Sequence, residues 1–545
     1  MSDFAPLCNY THYSLQLGFS KPKELVAKCK QNGYKACGIC DYKSISGSVS
    51  FFQQCKKAGI KPIIGCSFDG FSLFSKNKEG WFDLISIISG IQSEDEMTVI
   101  RRYAKKGNLI YVGKKLDQPI CHHSDTYVKD QYIKNYFYVN TTDADIHRIS
   151  LCSGLKTTLP DIMKYIGKNT LDDALKPYVK FFTTESFSVP NKDEAVSHEN
   201  ITDIVSKCEQ YEILEKPMLP NFPTPNGESE EEYLKSLCRK GWTELLVKKG
   251  LVETEETKQK YLNQFNEEFG VIKGAQLFGY FLIVWDILNF VKSKGWISGP
   301  GRGSAAGCLI SYLIGITKID PIEFDLLFSR FYNAGRNTED HISLPDIDID
   351  VPGGKRDEVI QYLKDQYGHG NVSQMITYGR LQGRSAMKEV LRMNKACGFA
   401  EMNEITKPIP DEAMISDQLE QMDEEDRSII KWALINAADD LRQWCYLDED
   451  GKLKGDYAPY FDQAIRLEGT FKSQGKHAAG VVISREPLNK VCPMLPEKSG
   501  EMIAGLEMND LEALGHVKFD VLGLQLLDKL MEIQLLIDKA ENSSV

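Results

Sequence analysis

The sequence predicts an α/β and α+β multidomain protein, and three observations carry that prediction. Residues 1 to about 200 alternate short apolar strands with helical patterns, as layered α/β folds and α/β barrels do. Glu228–Gly250, Glu253–Val271 and Phe278–Lys294 read as successive helices, the last strongly apolar (FGYFLIVWDILNFVKSK). Leu344–Val351, LPDIDIDV, has the two-residue alternation of a strand with one buried face.

Composition bounds the rest. A chain of 545 residues has room for several domains, and 42% hydrophobic with 26% charged residues is ordinary for a soluble globular protein. No apolar run approaches membrane-spanning length, and MSDFAPLCNYTHYS lacks the basic and apolar regions of a signal peptide. A cytoplasmic location and no membrane partner are therefore expected. The 14 cysteines are scattered, and Cys37-Gly38-Ile39-Cys40 has no second pair at zinc-ligand spacing, so strand packing is its reading. The net charge of −12 argues against coating nucleic acid by bulk charge, although local Lys and Arg can still grip phosphates.

Taken in order, Pro22–Asn32 is expected to be a helix stopped by Gly33. Ala36–Cys40 is a strand, Ser48–Ala58 a helix and Lys61–Cys66 a second strand. The chain turns polar at Ser188–Asn200, a boundary signal, and Leu219–Gly227 is Pro-rich and extended. Gly299–Gly307, GPGRGSAAG, can turn successive backbone N–H groups toward phosphate oxygens. Ser304 is placed where a helix over Ala305–Ile314 begins, at the positive pole of its dipole, and Arg302 adds a forked cation. No G-K-[ST] closes this loop, so it is not a P-loop, and a plain glycine turn is the simpler reading of it alone.

In LPDIDIDV, Asp346, Asp348 and Asp350 fall on one side of the strand and Ile347, Ile349 and Val351 on the other. Three such carboxylates repel, and half-burial makes them costly unless positive charge lies between them. Divalent cations answer this, since Mg²⁺ takes hard oxygen ligands and two ions about 4 Å apart serve in-line phosphoryl transfer. An exposed acidic edge strand is the plainer alternative. Arg330, in LLFSR, could balance that strand or reach a phosphate. Asp357–Tyr367 reads as a helix opened by Lys355 and Arg356. Arg380, Arg384, Lys388 and Arg392 recur at near-helical spacing, as a phosphate-tracking face or as a solvated one. Residues 409–445 are helical and acidic. Lys472–Ser484, which contains Lys476 and His477, is a glycine-bearing loop entering a strand. In His516–Asp520, Lys518 and Asp520 share a face, and Val521–Ala540 reads as one long apolar helix.

The ordered set GPGRGSAAG, LLFSRF, LPDIDIDV, KRDEVIQYL, GKHAAGVVIS and HVKFDVLGL resembles bacterial DNA polymerase III α subunits, the C-family replicative DNA polymerases, over roughly residues 1–540. The resemblance implies a PHP-like α/β barrel (1–200), a helical connection (201–290), a polymerase-β-like nucleotidyltransferase palm in two parts (291–376 and 471–545, the second with the C-terminal helix) and an inserted helical thumb (377–470). It implies Asp346, Asp348 and Asp520 as catalytic carboxylates holding two Mg²⁺. Arg302, Gly303, Ser304, Arg330 and Lys518 would serve the incoming dNTP, and Arg380, Arg384, Lys388, Arg392, Lys476 and His477 the primer–template DNA. Asp350 has a supporting role. The implied activity is DNA-directed DNA polymerase: attack of a primer 3′-hydroxyl on the α-phosphate, in a bacterial or virus-infected bacterial cell.

Three departures from the family qualify this. Its H-x-H-x-[ST] opening is here Cys8-Asn9-Tyr10-Thr11-His12, its Asp-His is Asp41-Tyr42, and its next acidic residue is Ser67. The remaining His12, His122, His123 and His147 do not rebuild the motif, so no metal is expected in the PHP-like domain, which reads as a support. A short insertion, Asn333–His341 with Arg336, precedes the catalytic strand. Fingers, clamp-binding and other C-terminal polymerase domains, which the family carries after the palm, are expected from a second polypeptide, unless the sequence is a fragment or activity was lost; further replisome proteins are possible partners, and Val521–Ala540 is either a place to dock one or packed on the palm. The alternative is a catalytically inactive assembly or DNA-binding subunit derived from a C-family polymerase.

Overall fold

A computed structural model describes residues 4–115, 120–129, 132–168, 172–183, 186–333, 335, 344–423 and 426–542. The chain forms two compact units, Met1–Ile213 with Tyr378–Gly475, and Leu214–Thr377 with Lys476–Val545. Among the described residues no single helix is long and apolar enough to cross a membrane.

In the first unit the expected strands and helices form at Pro22–Gln31, Ala36–Tyr42, Ser48–Ala58 and Lys61–Phe68. The strands belong to a five-stranded sheet in the order Ala36–Tyr42, Lys61–Phe68, Phe71–Ser75, Leu109–Gly113, Thr126–Val128. Lys61–Phe68 and Phe71–Ser75 are antiparallel, because the two residues between them, ending in Gly70 at φ +91°, are too few for a crossover. The repeated parallel units expected of a barrel are therefore interrupted. Cys8–Asn9 pairs separately with Asn135–Tyr136. The helices Gly383–Asn394 and Ala458–Leu467 share one apolar core with Ala144–Gly154, in which Ile146, Met387, Val390, Leu391, Phe461 and Ala464 are buried. The acidic region 409–445 is broken into the short helices Glu412–Glu420, Ile429–Asn436 and Ala438–Leu441.

The second unit holds a six-stranded sheet in the order Met494–Pro496, Met502–Ala504, Val372–Arg380, Phe471–Ile483, Val517–Leu524, Asp348–Pro352. Two expectations change here. Phe471–Ile483 is strand throughout rather than a loop leading into a strand, and Gly480 lets the chain pass close to Met375 and His477. Val521–Leu524 extends a strand rather than opening a helix, because it supplies the pairing for Ile349–Pro352; the helix starts later, at Gln525–Asn542. The acidic strand is indeed an edge strand. Its aliphatic face, Ile347, Ile349 and Val351, is buried with Val517, Phe519 and Val521. The apolar helix Phe278–Ser293 belongs to the same core: Tyr280 stacks on Phe519 at 5.3 Å, and its hydroxyl accepts the Ile347 N–H at 3.3 Å.

Candidate active site

Parallel pairing sets Asp520 directly opposite Asp348, in register, although the two are far apart in sequence. Asp346, just before the strand, is exposed, Asp348 is half-buried and Asp350 is buried. Two cations stand among the four carboxylates. The Arg302 Nη2 lies 3.0 Å from Asp348 Oδ1, and its Nε donates to both oxygens of Asp350 at 3.2 and 3.3 Å. The Lys518 Nζ lies 2.8 Å from Asp520 Oδ2 and 3.9 Å from Asp346 Oδ1. Burial lifts the Asp348 carboxyl above its ordinary range; Arg302 opposes this, and Asp346, Asp520 and Asp350 add to it. Burial lowers Lys518, but the hydrogen bond and charge of Asp520, with Asp346 and Glu512, outweigh that and leave its ammonium raised.

Among the described residues no three His, Cys, Asp or Glu side chains converge as a ready-made metal cage. Arg302 and Lys518 engage Asp348 Oδ1, both Asp350 oxygens, Asp346 Oδ1 and Asp520 Oδ2. Asp520 Oδ1 is buried with no hydrogen-bond partner among the described residues. A buried carboxylate oxygen without a donor is costly, and a hard divalent cation satisfies it. The donor set, all carboxylate oxygen, suits Mg²⁺.

The glycine turn lies beside these groups. Gly301 and Gly303 have φ +93° and +66°, and a Cβ on Gly303 would lie 3.6 Å from Asp348 Oδ2. Ser304 is exposed, but it does not open an α-helix: Gly303–Gly307 is a 3₁₀ turn, followed by the five-residue helix Leu309–Leu313. The N–H groups of that helix are already taken by buried Glu268, whose Oε1 accepts from Leu309 at 2.9 Å and Oε2 from Ile310 at 3.0 Å. The N-terminal donors of that helix are therefore not offered to a phosphate at Ser304. Glu268 gave no sequence signal, being one acid among several on the amphipathic helix Glu255–Gly274. The helix Phe328–Phe331, which carries exposed Arg330, packs against this turn, and Arg330 has no ion-pair partner among the described residues. Arg336 and most of the insertion before the acidic strand lie outside the described residues.

The expected DNA-contacting residues divide by role. Arg380 lies over the Phe471 ring at 5.1 Å. Arg384 donates to the Ile409 carbonyl and lies 3.5 Å from Asp411, and Arg392 pairs with buried Glu389. Lys388 is exposed on the same helix, Gly383–Asn394. In the second unit Lys476 is exposed, whereas His477 Nδ1 accepts the Ala479 and Gly480 N–H groups at 3.2 and 2.8 Å. With Nδ1 accepting, the ring carries its proton on Nε2, which is its donor.

At the substituted positions of the first unit some polar groups pair with one another, whereas Asn9 Oδ1 and His12 Nδ1 are buried with no hydrogen-bond partner among the described residues. The Tyr10 and Ser67 hydroxyls share a hydrogen bond. Asp41 accepts from Thr11 N at 2.7 Å, Thr11 Oγ1 at 2.8 Å and Ser14 Oγ at 2.6 Å. His12 is stacked on Phe471 at 4.0 Å, with burial pushing its pKa down to about 3, and His147 Nε2 bonds the Leu17 carbonyl at 2.7 Å. His122 is exposed, and the side chain of His123 lies outside the described set.

The sequence profile of the bacterial DNA polymerase III alpha NTPase domain matches residues 232–523, and that of the PHP domain matches residues 7–187. DNA polymerase III subunit alpha of Bacillus subtilis is 29% identical over 594 residues, covering 99% of this chain and 50% of the relative. The subunits of Pseudomonas aeruginosa (30%, 96% and 48%) and Aquifex aeolicus (28%, 98% and 52%) match similarly. The chain thus spans about half the length of the curated relatives it matches.

Proposed function

The chain belongs to the bacterial DNA polymerase III alpha family, and from that premise we propose that it is the catalytic portion of a DNA-directed DNA polymerase, transferring nucleotides from dNTPs to a primer 3′-hydroxyl. The observation that carries this reading is the register of Asp348 against Asp520 on an edge strand, with Asp346 beside them and the 301–304 turn against Asp348. In this reading 291–376 and 471–545 form the palm, 377–470 the thumb, and the PHP-like region is a support.

Asp346, Asp348 and Asp520 would hold two Mg²⁺, which when bound supply activation of the attacking oxygen and charge for the leaving oxygen. The chain's own groups do the positioning. Backbone N–H groups of 301–304 cradle the triphosphate, and the Arg302 fork and the Lys518 ammonium neutralise it. Arg330, on the helix packed against the turn, adds a third cation for the phosphates. Asp350 fixes the Arg302 Nε and so the plane of its fork. Lys388 and Lys476, both exposed, are the better candidates for duplex phosphates; Arg384 and Arg392 are already engaged within the chain.

Primer extension on a labelled primer–template with Mg²⁺ and four dNTPs tests this reading. The chain is assayed alone and with a second polypeptide carrying the fingers and C-terminal polymerase domains, proposed here as its partner. Incorporation is expected, strongest with that polypeptide, and Asp346→Ala/Asp348→Ala should lower it at least about 1000-fold. Undiminished incorporation by the double variant would overturn the site. Metal-dependent DNA binding with no incorporation in either arm would favour an inactive assembly subunit.

A further inference from the structure

We propose that Arg302 and Lys518 couple divalent-cation binding to nucleotide binding, because each occupies carboxylate oxygens that a cation must take and each can transfer to a triphosphate. The inference rests on the reading of these carboxylates as a cation site. Arg302 spans two anions of different character. Its Nε sits on Asp350, which is buried, and its Nη2 sits on the more open Asp348. The guanidinium can therefore withdraw Nη2 from Asp348 while Nε keeps its hold on Asp350. Its side chain is 47% exposed and leads directly into the glycine turn, so a phosphate there is within its swing.

Lys518 repeats the arrangement on the neighbouring strand. Its ammonium bridges Asp520 Oδ2 and Asp346 Oδ1, with the uncharged Met508 Sδ on another side at 2.9 Å. Asp520 Oδ1, buried and without a partner among the described residues, gives a cation a foothold but not a full set of ligands. A cation arriving alone must displace the Arg302 guanidinium from Asp348 and the Lys518 ammonium from Asp520 and Asp346. Arriving with a triphosphate, it supplies anions that receive both. The coupling is reciprocal, so the nucleotide also binds more tightly when the cation is present.

The test is a Mn²⁺ titration of the whole 545-residue chain, with free Mn²⁺ read by electron paramagnetic resonance, with and without dATP and without primer. After correction for Mn²⁺ held by free dATP, the nucleotide should tighten Mn²⁺ binding about tenfold. Arg302→Gln and Lys518→Gln should each bind Mn²⁺ alone about three- to tenfold more tightly than the unaltered chain, and lose coupling by the same factor. Arg302→Lys should restore most of it. Absence of coupling in the unaltered chain, which needs no variant to fold, would overturn the inference, as would Gln variants that bind Mn²⁺ alone no more tightly. Asp348→Asn and Asp520→Asn separate the two levels. If they lose Mn²⁺ binding while the Gln variants fail to tighten, only this inference falls. If they keep it, the cation site and the inference fall together.

Discussion

Asp41 and Asp348 both lie on parallel-paired strands, and burial raises the carboxyl of each. Their surroundings differ in kind. Asp41 is enclosed by three donors from Thr11 and Ser14, so its oxygens have nothing further to gain. Asp348 faces Asp520 and Asp346, is held by a partly exposed arginine, and stands beside an oxygen of Asp520 with no donor. A satisfied carboxylate ties a loop to a strand, whereas a cluster of mutually repelling ones is poised to bind positive charge. The difference shows where to look for chemistry in a chain with acidic residues in both units.

The largest expected contrast is in incorporation, which the Asp346→Ala/Asp348→Ala change removes and Asp41→Asn leaves within about twofold. Next is the pH dependence of stability. The Asp41 carboxyl is raised from 3.8 to about 6, so the folded chain binds more protons than the unfolded one between those values. Its contribution is fully present below about 4 and is lost as pH rises through about 6, by about 2–3 kcal/mol. Urea unfolding at several pH values should show the unaltered chain losing that much relative to Asp41→Asn between pH 4 and 7. A pH-independent difference between the two would mean that Asp41 is not held in this way. The smallest effect is at Glu268. Replacement by Gln keeps one acceptor oxygen and leaves one of the Leu309 and Ile310 N–H groups unpaired, costing about 1–2 kcal/mol in thermal unfolding. Affinity for dNTP should stay within about twofold. A large loss would place the phosphate at the end of the Leu309–Leu313 helix instead of at 301–304.

The acidic strand was legible because its period of two survives in the fold: Ile347, Ile349 and Val351 are buried and the carboxylates lie on the other face. The facing of Lys518 and Asp520 was legible for the same reason. What puts Asp520 opposite Asp348 is long-range strand pairing, to which no local pattern gives access; only the family resemblance pointed to it. The same pairing explains the misread boundary at Val521–Leu524, since a short apolar run beside an apolar helix has no period of its own. The helix expected from Ala305 failed for a different reason. Its donors answer to Glu268, and a buried acid on a distant helix resembles any solvated one in sequence. In the first unit, the Tyr10–Ser67 bond joins two of the substituted positions across 57 residues, a long-range contact that no local pattern gives.

The most direct test is anomalous diffraction from crystals of the chain grown with Mn²⁺ and a dNTP. Density bounded by Asp346, Asp348 and Asp520, with the triphosphate against residues 301–304, is the predicted result. Manganese bound elsewhere, beside Asp41 or between Tyr10 and Ser67, with those three carboxylates still holding only Arg302 and Lys518, would contradict it.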